Sequence, residues 1–203
     1  MIYFVRHAPT PWNEHKNANG EKDPLCQGVV DILLDDKGQQ VAREMGNNIK
    51  DINFDRVICS PLGRTKQTCY LMYRGKTPVE IDPRIIERNF GEFEGKTRSE
   101  FDFKAFWNRN ASQKFKRAES IQDVEKRVFN FLDELRAWSA KNPDKNVLIV
   151  SHGGVGCIVM SYFNGIPQNG DYLSFELPHG GKPLVLDFKN LERQKNIIND
   201  RVM

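Results

Sequence analysis

Ile2-Tyr3-Phe4-Val5-Arg6-His7-Ala8-Pro9-Thr10 is the stretch whose reading decides the fold: a short β-rich apolar run that stops at an arginine beside a histidine. The same arrangement returns twice. Val57-Ile58-Cys59 runs into Ser60-Pro61-Leu62-Gly63-Arg64-Thr65, and Val147-Leu148-Ile149-Val150 runs into Ser151-His152-Gly153-Gly154. In an open α/β sheet, ligands sit in the crevice beyond the carboxyl ends of the strands. The chain therefore gathers His7, His152, Arg6 and Arg64 at one crevice mouth, a set that suits a phosphate group.

Between these junctions the pattern changes from strand to helix and back. A polar loop runs from His7 to about Asp36, and Lys37-Gly38 leads into a helix with Val41, Met45 and Ile49 on one face. Residues 63–73 carry Thr65, Thr68, Cys69 and Met72 at helical spacing, which puts Arg64 in a first turn, and Pro78–Ile81 reads as a short strand. Ile85 to Gly95 is acidic, aromatic and glycine-punctuated, so it is expected to be an ordered loop. Phe101, Phe103, Phe106 and Trp107 follow in a short helix within a lid spanning about 96–120, with core packing the expected role for most of them. Ser120 caps a longer helix whose stripe is Val124, Val128, Phe131, Leu132 and Leu135. A helix follows Gly153, and residues 173–177 and 184–188 are expected to pair as a closing hairpin around Pro178–Lys182. Alternating strands and helices predict an α/β fold, a three-layer α/β/α sandwich with a mainly parallel central sheet. It forms one domain over residues 1–190, with a polar C-terminal tail over 191–203.

Bulk properties exclude several classes. The 203 residues are enough for one full core, and 39% hydrophobic with 28% charged residues is an ordinary globular balance. A net charge of +3 without a concentrated basic stripe argues against nucleic acid. Cys26, Cys59, Cys69 and Cys157 are too scattered for a zinc or thioredoxin-type site, so buried free thiols and no metal are expected. Charge appears within the first ten residues, without a signal-peptide core, and no apolar run approaches the ~20 residues of a membrane span; a cytoplasmic location is the expectation.

The chemistry follows from residue type. Arginine presents a planar fork that matches two phosphate oxygens, and Gly153 and Gly154 let backbone N–H groups at a helix N-terminus approach the same anion. A neutral imidazole, His7, is placed to attack phosphorus, with His152 steadying the transferring oxygens while an acid protonates the leaving oxygen. Glu87, in the ordered loop, is one candidate for that acid; Glu92 and Glu94 lie close by, and the residues alone do not choose among them. His15 and His179 read as solvated loop histidines, with a place lining the pocket the alternative for His179, and Lys114, Lys116 and Arg117 read as a solvated face, with contact to an acidic substrate tail the alternative.

Taken together, these motifs resemble the histidine phosphatase superfamily, in its phosphoglycerate-mutase-like branch. The resemblance covers roughly residues 2–188. The family's Arg-His-Gly signature looks like Arg6-His7-Ala8, with Thr10 and Trp12-Asn13 after it. Gln27-Gly28 and Asp31, Ser60-Pro61-Leu62-Gly63-Arg64-Thr65-Lys66-Gln67-Thr68, the Glu87–Gly95 loop and Ser151-His152-Gly153-Gly154 follow in the family's order. The resemblance implies a phosphoglycerate-mutase-like fold, His7 as a nucleophile that becomes phosphohistidine, and Arg6, Arg64 and His152 as a phosphate pocket. It implies Glu87 as the proton donor, Asn13 as a side-chain donor, and Thr10, Gln27, Gly28 and Gly153 as further phosphate or substrate contacts. No cofactor is implied. Ala8 departs from the family's glycine, and the expectation is retuning rather than loss. The implied function is metal-independent hydrolysis of a small phosphorylated metabolite, with inorganic phosphate as product. A phosphoglycerate mutase and a non-catalytic phospho-ligand-binding module are the alternatives.

Overall fold

The computed structural model describes residues 1–191. Five strands form one sheet: β1 (Ile2–Arg6), β2 (Arg56–Cys59), β3 (Val79–Ile81), β4 (Val147–Ser151) and β5 (Leu184–Leu186), in the order β3-β2-β4-β1-β5. β1, β2, β3 and β4 run parallel, and β5 closes the edge antiparallel to β1 with Ile2 opposite Leu186. The helices are α1 (Asp36–Met45), α2 (Gly63–Met72), the short α3 (Phe103–Phe106), α4 (Ile121–Lys141) and α5 (Gly153–Asn164).

Side chains alternate through the sheet as period-2 geometry requires. Ile2, Phe4, Ile58, Val147 and Ile149 join a core with α4 and α5, whereas Val5, Val57, Cys59, Leu148 and Val150 join a second core with α1 and α2. Both faces of the sheet are thus covered, and the expected three layers are present. The Ser120 hydroxyl accepts from Asp123 N at 3.1 Å to start α4, and Asp35 accepts from Gly38 N at 2.8 Å to start α1.

Two expectations are corrected. The helix through Val41 and Met45 ends at Met45, and Ile49 reaches the core from beyond a 3₁₀ turn at Gly46–Asn48. No hairpin forms around Pro178–Lys182. Asp171 accepts from Leu173 N at 2.9 Å, and the buried Tyr172 donates to Glu125 at 2.5 Å, which curls residues 172–174 into a 3₁₀ turn. β5 therefore pairs with the open edge of β1 instead. Residues 192–203, most of the expected tail, lie outside the described residues.

This topology places the crevice. β1 sends the chain to α1 on one face, while its neighbour β4 sends it to α5 on the other. Adjacent strands whose connections diverge leave a cleft beyond their carboxyl ends.

Candidate active site

The ladders continue one step past the strands and fix the first site residues. His7 N donates to Ser151 O at 2.9 Å, and Ser60 N donates to Val150 O at 3.0 Å, so His7, Ser60 and His152 are held side by side. The His7 and His152 rings meet edge to face with centroids 5.3 Å apart. His7 Nδ1 lies 2.7 Å from Ala8 O, a partner that can only accept. That fixes the tautomer: Nδ1 carries the proton, and Nε2 keeps its lone pair. Burial, reinforced by Arg6 and Arg64, holds the His7 pKa well below its ordinary 6.5, so the ring is neutral at physiological pH. His152, with no exposed surface, is depressed in the same way by burial and then Arg64, and its Nε2 lies 2.7 Å from Ser60 Oγ.

Arg64 enters from the first turn of α2 and is also fully buried. Its fork donates to Val30 O at 2.9 Å and Gly28 O at 2.6 Å, and burial lowers its pKa to about 10, still fully cationic at neutral pH. Arg64 Nε and His152 Nδ1 are buried without a hydrogen-bond partner, which costs each of them the hydrogen bond it would make to water. The loop receiving the Arg64 fork is tied down twice more. Glu94 accepts from Gly28 N at 3.0 Å and Val29 N at 2.9 Å, and Asp31 accepts from Gly63 N at 2.7 Å, capping α2 from a distance. A Cβ on Gly28 would collide with Glu94 Oε1 and Arg88 O, so glycine is required there.

Across the cleft stands the Glu87 loop. Glu87 is buried, and its carboxylate accepts from Gly154 N at 3.0 Å at the start of α5 and from its neighbour Arg88 N at 3.0 Å. Among the three acidic candidates, Glu87 faces the cleft, whereas Glu94 is turned into the loop beneath it.

Arg6, His7, Asn13, Gln27, Glu87 and Gly153 line one cavity of about 400 Å³. Arg64 and His152 do not line it: both are fully buried, His152 edge to face against the ring of His7, which does. Thr10 and Gly28 do not line it. Thr10 Oγ1 lies 2.8 Å from Gln27 Oε1, and Thr10 N donates to Asn13 Oδ1 at 3.0 Å, so Thr10 braces two residues that do. Ala8 is buried in the core with α1 and α2, and its N–H donates to Thr68 Oγ1 at 3.0 Å, so the methyl group is accommodated.

The outer wall is apolar and was less legible. Phe90, Phe103, Trp107, Leu173, Phe175 and Leu177 line it, so two of the lid aromatics face the cavity while Phe101 and Phe106 pack behind them. His179 sits in an exposed loop, as expected, and borders the cleft as well. Arg98 was missed altogether; its guanidinium lies over the Phe103 ring, 4.6 Å from the centroid, and borders both this cavity and a neighbouring one of about 440 Å³. Its only sequence signal is a basic residue just after the acidic loop. Cys26 and Cys157 line the cavity too, but burial pushes both thiols up to about 12, so they stay protonated at neutral pH. Among the described residues, no helix is long and apolar enough to cross a membrane.

Comparison with known proteins agrees with this fold. The model of the histidine phosphatase superfamily (branch 1) matches residues 2–199. A protein of Erwinia tasmaniensis named "Probable phosphoglycerate mutase GpmB" is 29% identical over 178 residues, covering 84% of this chain and 78% of its own. An uncharacterized phosphatase, PhoE of Bacillus subtilis, is 30% identical over 166 residues, covering 81% of this chain and 77% of its own. The structure of Bacillus stearothermophilus YhfR superposes with a TM-score of 0.72 at 26% identity, over 89% of this chain and 87% of that one. With the paired histidines at the ends of adjacent parallel strands and a family match over nearly the whole length, the chain belongs to the histidine phosphatase superfamily, branch 1.

Proposed function

We propose that this chain is a phosphomonoester phosphatase that works through a phosphohistidine on His7 and requires no metal. The observation that carries the reading is the state of His7: neutral, buried at the cavity floor, and with Nδ1 committed to Ala8 O so that Nε2 is the free nucleophile. Arg6, Arg64, His152 and the N-terminus of α5 surround it with the donors a phosphoryl group needs.

In the first step the Nε2 lone pair forms a bond to phosphorus as the ester P–O bond breaks. Protonated Glu87 gives its proton to the departing oxygen. Nδ1–H, held by the Ala8 carbonyl, shares the positive charge that develops on the ring. In the second step water attacks phosphorus, its proton passes to the Glu87 carboxylate, and the P–N bond breaks to release inorganic phosphate. The substrate's remaining body would rest on the wall of Phe90, Phe103 and Trp107, with Asn13, Gln27 and Gly153 touching phosphate or substrate and Arg98 near its far end.

A mutase is the second reading, favoured by the name of the Erwinia relative. It would require the phosphoenzyme to be shielded from water until it re-phosphorylates a product. The test is steady-state hydrolysis of an aryl phosphate and a panel of metabolite phosphates with a chelator present, for wild type beside His7→Ala. Turnover that survives the chelator and vanishes in the variant supports the phosphatase. Transfer between phosphoglycerate isomers without net phosphate release would replace it with the mutase.

A further inference from the structure

The segment that carries Glu87 has no helix or strand to hold it beyond a 3₁₀ turn at Pro83–Ile85, yet the carbonyls of residues 84–87 all accept from side chains elsewhere in the chain. Arg127, on α4, donates from Nη1 to Arg84 O at 2.7 Å and to Ile86 O at 2.6 Å, and from Nη2 to Glu87 O at 3.3 Å. Ser151, the last residue of β4, donates to Ile85 O at 2.8 Å. Four consecutive carbonyls are therefore pinned to two rigid elements. The remaining donors of Arg127 form a two-pronged pair with Glu119, Nε to Oε1 at 2.7 Å and Nη2 to Oε2 at 2.9 Å. Arginine has five N–H donors, and here each has an acceptor.

Glu119 in turn reaches the far side of the same segment. Its N–H donates to Asn89 O at 3.0 Å, and its carbonyl accepts from Arg88 Nε at 2.8 Å. Neither Glu119 nor Arg127 lines the cavity. The pair instead forms a frame around residues 84–89, and the one side chain that frame projects into the cleft beside Gly154 is Glu87.

We propose that the Arg127–Glu119 pair is a positioning device for the acid: it holds the Glu87 carboxyl at the height where it meets the leaving-group oxygen, and leaves phosphate binding to the strand ends. This rests on the proton-donor role given to Glu87 above. A lysine cannot replace the fork, because one ammonium does not span three carbonyls and a carboxylate in fixed geometry. Misplacement of a catalytic group by about 1 Å is enough to cost about 100-fold.

The experiment uses the full chain and a series of phosphate monoesters running from nitrophenyl through phenyl to alkyl leaving groups. kcat/KM is measured, because it reports steps up to departure of the leaving group, together with competitive inhibition by inorganic phosphate. Arg127→Met is expected to lower kcat/KM about 10- to 100-fold for alkyl esters and less than about 3-fold for nitrophenyl phosphate, with phosphate inhibition within about 3-fold of wild type. Arg127→Lys should recover only part of the loss. Glu119→Gln, which keeps all three carbonyl contacts, should steepen the leaving-group dependence less, and it serves if Arg127→Met does not fold. In a Glu87→Gln background, Arg127→Met should add little. An equal loss across the series, full rescue by lysine, or an undiminished effect in that background overturns the proposal. A flat series for Glu87→Gln alone would instead remove the acid assignment on which it stands.

Discussion

The floor of the cleft and its wall hold their side chains by different means. At the floor, His7, Ser60 and His152 follow directly on β1, β2 and β4, and their places are inherited from parallel ladders in which Arg6 faces Ser151 and Cys59 faces Val150. At the wall, residues 84–118 contain 3₁₀ turns and one short helix, and side chains replace the ladder: Arg127 on carbonyls, Glu94 on amides, and Arg88 over the Phe106 ring with a hydrogen bond to the Phe106 carbonyl. Moving a floor residue means breaking a sheet. Moving a wall residue takes one substitution. The parts proposed to do chemistry on phosphorus thus sit on the unyielding side, and the parts that meet the rest of the substrate sit on the adjustable side.

The largest expected effect tests the floor. His7→Ala should lower kcat by about 10⁴-fold or more while leaving the melting temperature within a few degrees, since the ladders on either side remain. Steady-state kinetics with a thermal melt checks this, and turnover within tenfold of wild type would end the phosphohistidine reading. Next comes the wall. Glu87→Gln should cost about 10²- to 10³-fold on alkyl phosphates and under tenfold on nitrophenyl phosphate, because only poor leaving groups need the proton.

Gly154 tests the seam where the two regions meet. A Cβ there would intrude on the Trp107 ring and come within 2.6 Å of Glu87 Oε1, so Gly154→Ala must push wall from floor. A loss of about 1–3 kcal/mol in urea unfolding and a fall in kcat/KM are expected. Tolerance without either would show that the wall yields more freely than its contacts imply.

The smallest effect is electrostatic and belongs to the floor alone. His7 and His152 are kept neutral in the fold by burial and the neighbouring arginines, whereas in the unfolded chain they take up protons near pH 6.5. The unfolded state then binds more protons below that pH. Stability should be full above about 6.5 and decline as pH falls beneath it, by up to about 1.4 kcal/mol per pH unit for each histidine. His152→Asn should make that acid slope shallower by about one such increment, measured by denaturant unfolding at stepped pH.

The contrast also explains what the sequence disclosed. Floor residues follow short apolar runs such as Val147–Val150, whose period is local and whose ends are marked by Gly or Pro, so both the fold and the residues that follow the strand ends were legible. Wall residues obey no period. Glu87, Glu92 and Glu94 look alike along the chain, and only the turn that sends Glu94 beneath the loop to Gly28 separates them in space. The missing hairpin has the same origin: residues 173–177 read as β-rich, but the Tyr172 hydroxyl anchors on Glu125, forty-seven positions away, and a contact that distant leaves no local trace. Arg98 borders the cleft from a 3₁₀ turn and His179 from an exposed loop, and polar residues at such positions carry no local sign of the cavity beside them.

The acceptor that dictates which nitrogen of His7 is free is a main-chain oxygen, and it belongs to the amide joining Ala8 to Pro9. A residue preceding proline has a narrow choice of backbone angles, which aims that oxygen without help from any side chain. The choice of free ring nitrogen is therefore written into the backbone and is insulated from replacement of any partner residue. Position 8 can then answer to packing alone, and a methyl group can occupy it while that nitrogen stays where it is.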